Sequence, residues 1–176
     1  SDLRFGVAAL AAGGDHGVAQ HAGDGHRSDA AGYRLDGAGE ESRVSVWSAT
    51  TGQLVRVLGG HSSFVNTVAF SPDGRTLAAG DASGKVALWS LANAAPRHQL
   101  AAHADEVNSL AFSPDGRTLA TAGEDGRVVL WDAANGQKLH SLEGHQGPVR
   151  ALAFSRDGQW LASAGSEAKV LVWDMA

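Results

Sequence analysis

Between His103 and Asp132 the chain alternates short apolar runs with short polar breaks, and the same alternation occurs before and after this stretch. Residues 107–112 read Val-Asn-Ser-Leu-Ala-Phe, a mostly apolar run of strand length that stops at Ser113-Pro114-Asp115-Gly116. Proline presets a turn there and glycine supplies positive φ. Thr118 to Gly123 and Arg127 to Trp131 are two further β-rich runs, joined by the hairpin signal Glu124-Asp125-Gly126. A fourth run, Lys138 to Leu142, follows Asn135-Gly136. The pattern predicts four short antiparallel strands making one small sheet. No helix-period segment competes with it between residues 33 and 176.

The unit repeats. Trp47, Trp89, Trp131 and Trp173 stand 42 residues apart, and His61, His103 and His145 keep the same step, as do the turns at Asp73-Gly74, Asp115-Gly116 and Asp157-Gly158. A fixed period of this length marks a repeat architecture whose units bury their apolar faces against one another. The first strands of the units are apolar on both faces, as in Val65, Val68, Ala69 and Phe70, or Val149, Leu152, Ala153 and Phe154, so each sheet must be covered on both sides. Stacking similar sheets around an axis does this.

With a Gly-His or Ala-His start, Ser-Pro-Asp-Gly turns and a Trp-Asp finish at Trp131-Asp132 and Trp173-Asp174, residues 33–176 resemble the WD-repeat β-propeller family. The resemblance implies an all-β fold of about four four-stranded antiparallel blades: a partial unit at 33–58, then units at 59–100, 101–142 and 143–176. Trp47-Ser48, Trp89-Ser90 and Ala102 before His103 are departures from the family pattern. Residues 1–32 fit the unit poorly; Leu10 to Gly17 echoes Leu119 to Gly126 without a Trp following. They read as a degenerate or loop-like segment able to contribute a strand. The last unit has only three residues after Trp173, and Phe5 to Ala12 is the candidate for its missing outer strand. Four blades leave three expectations open: an open arc, a part of a longer propeller, or a ring closed by homodimerisation.

Composition narrows the partners. The net charge is −5, and Lys and Arg lie singly rather than in clusters, which argues against nucleic acid. The longest apolar run, Val7 to Ala12, is too short to span a membrane. There are no cysteines, so disulfides and thiolate metal sites are excluded. The chain starts at Ser1, which points to processing or truncation; Leu3 to Ala12 lacks the charged region and full apolar core of a signal peptide. A cytoplasmic location is the expectation.

His103, Thr121, Asp125 and Trp131 invite a hydroxyl–His–carboxylate catalytic reading. The family resemblance implies instead a buried structural tetrad in which these side chains satisfy one another, as buried polar groups must. His145, Ser163, Glu167 and Trp173 repeat the pattern with Glu for Asp, whereas His61, Ala79, Ser83 and Trp89 carry neither hydroxyl nor acid at the corresponding places. The partial unit keeps only Glu41 and Trp47. His16, His21 and His26, with Asp15 and Asp24, are metal-capable residue types, but their spacing in a Gly-rich segment fixes no geometry. Neither a metal nor another cofactor is expected.

The resemblance also implies a protein- or peptide-binding face at the narrow end of the channel. Carried onto this chain, its contact positions are Phe64, Asn66 and Ala82; Glu106, Asn108 and Glu124; Pro148, Arg150 and Ser166; and Glu40 from the partial unit. One aromatic, one Arg and several acids suit a protein or peptide partner. The leading expectation is a non-catalytic interaction scaffold, the alternatives being a self-assembling structural fragment and a hydrolase using Ser163 or Thr121 with His. Trp160 stands where the other units have Thr76 and Thr118, and reads as packing or recognition.

Overall fold

A computed structural model describes residues 9–12, 31–36, 43–48, 51–92 and 96–176. All regular structure among them is β. The first sheet has the order β1 (Ala9–Ala12), β2 (Ala31–Asp36), β3 (Arg43–Ser48), β4 (Leu54–Leu58). The second runs β5 (Val65–Phe70), β6 (Thr76–Asp81), β7 (Lys85–Ser90), β8 (Pro96–Ala101), and the third β9 (Val107–Phe112), β10 (Thr118–Gly123), β11 (Val128–Asp132), β12 (Lys138–Leu142). The fourth has three strands, β13 (Val149–Phe154), β14 (Trp160–Gly165) and β15 (Val170–Asp174).

From β2 onward, neighbouring strands within each sheet pair antiparallel. At Ser113 to Thr118 the Ser113 hydroxyl donates to Asp115 at 2.6 Å and accepts the Thr118 N–H, while Gly116 takes φ 72. The same turn recurs at Ser71 and Ser155. The one departure from antiparallel pairing is β1, which lies parallel to β2 with Ala9 opposite Tyr33. Parallel pairing needs a crossover of a dozen or more residues, and residues 13–30 are long enough to supply it. β1 thus joins the inner side of the first sheet and not the open edge of the fourth, which corrects the expectation for Ala9–Ala12, while the rest of the Phe5 to Ala12 segment lies outside the described residues.

Three apolar clusters hold neighbouring sheets together. Val44, Val46 and Leu58 of the first sheet meet Val65, Val68, Leu77 and Trp89 of the second. Ala78, Val86, Leu88 and Leu100 meet Leu110, Leu119, Val129 and Trp131, and Ala120, Ala122, Val128 and Leu130 meet Leu152 and Leu161. Every interior sheet is therefore apolar on both faces, and the stack is a row of propeller-type blades that does not close into a ring. The outward face of the fourth sheet stays open: Val128 and Leu130 are 0% and 4% exposed, but Val170 and Val172, one repeat later, are 66% and 62% exposed.

Candidate functional site

The polar residues that could carry chemistry fall into two groups, one inside the blades and one on the surface at the sheet ends. Inside the third sheet, β10 and β11 pair with Thr121 opposite Val129, which brings Trp131 and Thr121 to one face. The Trp131 indole N–H donates to Thr121 Oγ1 at 3.1 Å, and Thr121 Oγ1 lies 2.8 Å from His103 Nε2. The other ring nitrogen, Nδ1, lies 2.9 Å from Asp125 Oδ1. Asp125 also accepts the N–H groups of Ala104 and Arg127. Only one proton order satisfies all four groups: indole to hydroxyl, hydroxyl to Nε2, and Nδ1–H to carboxylate. A Cβ on Gly123 would come 2.5 Å from His103 Nδ1, so the strand end beside the ring admits only glycine.

The fourth sheet repeats this set. Trp173 Nε1 donates to Ser163 at 2.8 Å, Ser163 Oγ lies 2.8 Å from His145 Nε2, and His145 Nδ1 meets Glu167, which also accepts the Gln146 N–H. The second sheet is different, and it corrects the expectation that its acid is missing. Asp81 stands at the place of Gly123, two residues before Ser83, and its Oδ2 is 2.7 Å from His61 Nδ1. Its Oδ1 accepts the Ser83 hydroxyl and the N–H groups of Ser83 and Lys85, closing the turn. The side chain that would clash with the ring in the third sheet is here the ring's own partner. The hydroxyl is missing, because Ala79 occupies its place, and His61 Nε2 and Trp89 Nε1 are buried without a hydrogen-bond partner. Glu40 and Glu41 of the partial unit, and His16, His21, His26, Asp15 and Asp24, lie outside the described residues.

Burial holds His103 below the ordinary imidazole value, outweighing the Asp125 carboxylate beside it, so the ring is neutral at pH 7. Burial pushes the Asp125 carboxyl up, but His103 and the N–H groups of Arg127 and Ala104 together hold it below the usual carboxylate range. Asp81 is likewise pushed up by burial, yet held low by His61, Ser83 and the Lys85 N–H. All three groups bind protons more weakly folded than unfolded, so their stabilisation is complete above the unfolded values and is lost as pH falls through the folded ones. Urea midpoints should therefore fall on acidification, first below about 6.5 as His103 charges and again below about 3.8 as the aspartates protonate. Midpoints that stay level from pH 7.5 to 3.5 would contradict these assignments.

The hydroxyl–imidazole–carboxylate order is that of an activated nucleophile, yet Thr121 is fully buried and Ser163 nearly so, and each hydroxyl is occupied by an indole N–H. No substrate can approach an oxygen so enclosed. Among the described residues no group of three or more His, Cys, Asp or Glu is placed to hold a metal ion.

The second group lies just before and at the start of the inner strands and in the β6–β7 and β10–β11 turns. Asn66 at the start of β5 donates to Glu106 Oε2 at 3.1 Å, crossing from the second sheet to the third. Asn108, one repeat later, donates to Glu124 Oε2 at 2.8 Å and to the Val149 carbonyl of the fourth sheet at 3.1 Å. Arg150 on β13 closes the row on Glu124 Oε1 at 3.1 Å. The row thus links the second, third and fourth sheets. Phe64 stands at one end of it, 58% exposed, fixed by its carbonyl's bond to the Ala82 N–H. What sequence reasoning missed is that Asn66 with Glu106, and Arg150 with Glu124, bond to one another across sheets. Phe64, Glu106, Arg150 and Ser166 are exposed, while Asn66, Ala82, Asn108, Glu124 and Pro148 are half-buried.

The sequence model of the WD domain, G-beta repeat, matches residues 52–90, 94–132 and 136–174, together more than half of the chain. Each match spans the outer strand of one sheet and three strands of the next. No curated protein matches the chain significantly. Repeats of this family generally mediate protein–protein interaction and are typically non-catalytic. The chain belongs to the WD-repeat family.

Proposed function

We propose that this chain is a non-catalytic scaffold that holds a polypeptide across the row Phe64, Asn66, Glu106, Asn108, Glu124 and Arg150. The observation that carries the reading is an exposed aromatic side chain at the end of a cross-sheet row of hydrogen bonds. The bonds fix the side chains in advance, which lowers the ordering cost of binding. Phe64 supplies apolar area, while Glu106 keeps an outward carboxylate for a basic side chain. Enclosure of Thr121 and Ser163 supports the absence of covalent chemistry.

A displayed peptide library selected on the wild-type chain tests it. Phe64→Ala and Arg150→Ala should each weaken the selected peptides at least tenfold, a hot-spot effect of about 1.4 kcal/mol or more. Both side chains are exposed and Arg150's ion pair is a surface one, worth about 0–1 kcal/mol, so melting should barely change. Selected peptides indifferent to both variants would move the site elsewhere. A second reading, closure with another copy, is favoured by the open face formed by Trp160, Val170 and Val172. A dimeric mass by light scattering would support it, and a monomer at high concentration would remove it.

A further inference from the structure

The outer strands of the three four-stranded sheets treat their rims differently. Each of β4, β8 and β12 is the last strand of its sheet, and among the described residues each pairs only with the strand before it. The final leucines Leu58, Leu100 and Leu142 turn inward and join the apolar seam with the next sheet. The positions before them lie along the rim, where proline and charge blunt an edge against further pairing. β8 has Pro96 and Arg97 there, and β12 has Lys138. β4 has instead Leu54, Val55 and Val57, which are 48%, 55% and 44% exposed.

This exposure belongs to the rim and not to the first sheet's place at one end of the stack. Arg97 and Leu139 hold the place of Val55, and Gln99 and Ser141 that of Val57, in sheets that have a neighbour on each side, and all four are exposed. The edge of β4 is therefore open in a sheet that already has its four strands, and it is apolar where its counterparts are mostly polar. Its one charge is Arg56, half-buried and without a carboxylate partner among the described residues. His98, at the same place in β8, is occupied: its Nε2–H donates to the Ala134 carbonyl at 2.9 Å.

We propose that the edge of β4 receives, as a fifth strand, an extended segment of a partner polypeptide in which an acidic residue stands between two apolar ones. The acid lies opposite Arg56 and the apolar pair opposite Val55 and Val57. Side chains alternate along a strand, so the acid meets the guanidinium on one face while the apolar pair meets the two valines on the other. Backbone hydrogen bonds supply the affinity and the side-chain pairs the register. Arg56 is the argument for the occupant. Opposite charges facing each other across strands attract and like charges repel, and a second copy paired two-fold about the middle of β4 would set guanidinium against guanidinium. The edge uses none of the residues in the Phe64 to Arg150 row, so either proposal can fail without the other.

The probe is a fluorescent peptide of sequence Lys-Ser-Thr-Val-Glu-Val-Ile-Thr-Lys, titrated against the whole chain. It should bind saturably at one per chain and slow amide exchange over residues 54–58. A peptide with lysine in place of the glutamate should bind roughly tenfold more weakly, and Arg56→Glu in the protein should reverse the preference between the two peptides. Val55→Arg combined with Val57→Gln gives β4 the residues that β8 carries at the same places, and should weaken the glutamate peptide at least tenfold. Because β8 forms with these residues, the double variant's melting temperature should match the parent's, which separates loss of the edge from loss of the fold. No saturable binding, a preference that Arg56→Glu leaves in place, or exchange over β4 that the peptide does not slow would overturn the proposal. So would a dimer that the double variant makes monomeric, because the occupant would then be a second copy.

Discussion

Replacing Asp125 with Ala should lower the unfolding free energy by about 1–3 kcal/mol, read as a lower urea midpoint with an unchanged slope. The carboxylate is the end acceptor of the chain that begins at the Trp131 indole, and it takes three donors: His103 Nδ1–H and the N–H groups of Ala104 and Arg127. The last two lie at the exposed rim, where water can replace the lost acceptor. His103 Nδ1 cannot be served in that way, because its ring side chain is enclosed. The ring would then face a choice of two costs. It could keep its Nδ1 proton unpaired, or move it to Nε2, where it would confront the Thr121 hydroxyl and force that proton away from its acceptor. Either way one buried polar group goes unsatisfied, and the cost falls on β10, β11 and the segment before β9, which the network ties together. Asp125→Asn should cost less, because its amide oxygen can still accept from Nδ1. An Ala variant with the parent's midpoint would show that these bonds do not hold the sheet, and equal losses for Ala and Asn would show that charge matters more than the acceptor.

The strand pattern was legible because it rests on local chemistry. Tight turns at Ser-Pro-Asp-Gly and Glu-Asp-Gly fix where strands stop, and strands apolar on both faces fix that the sheets must stack; β9, β10 and β12 lie where the apolar runs place them. What a fixed period hides is compensation within a unit. Counting 42 residues back from Asp125 lands on Ser83, and the acid appears to be gone. Asp81, two residues earlier, reaches the same imidazole from the strand end because no glycine is required where the carboxylate itself fills the space. The parallel placement of β1 was hidden for another reason, since strand direction there depends on a long crossover and not on a turn signal. The cross-sheet bonds of Asn66, Asn108 and Arg150 were hidden too: 40 residues separate Asn66 from Glu106, and only the stacking of sheets brings them together.

Ala79→Ser should stabilise the chain by about 1–3 kcal/mol, raising the melting temperature by about 2–4 °C for each kcal/mol in a chain of this size. The second sheet already holds three parts of the network: Trp89, His61 and Asp81, with the indole and imidazole ring centres 5.5 Å apart. Since His61 gives its Nδ1 proton to Asp81, its Nε2 is a bare acceptor, and Trp89 Nε1–H is a bare donor; both are buried and unpaired. A hydroxyl is the one small group that can accept from the indole and donate to the imidazole at once. Ala79 lies opposite Val68 and Ala87, as Ser163 lies opposite Leu152 and Leu171, so a serine oxygen there would occupy the same place relative to the backbone. In the fourth sheet that oxygen stands 2.8 Å from both partners. Ala79→Val is the control, because it adds volume to the same fully buried position without a hydroxyl and should be neutral or destabilising by overpacking. A gain with Ser and none with Val assigns the effect to the completed hydrogen bonds. A loss with both would mean that the position is too tightly packed for any added atom, and that the second sheet is stable with the His61 and Trp89 nitrogens unpaired because its apolar contacts outweigh them.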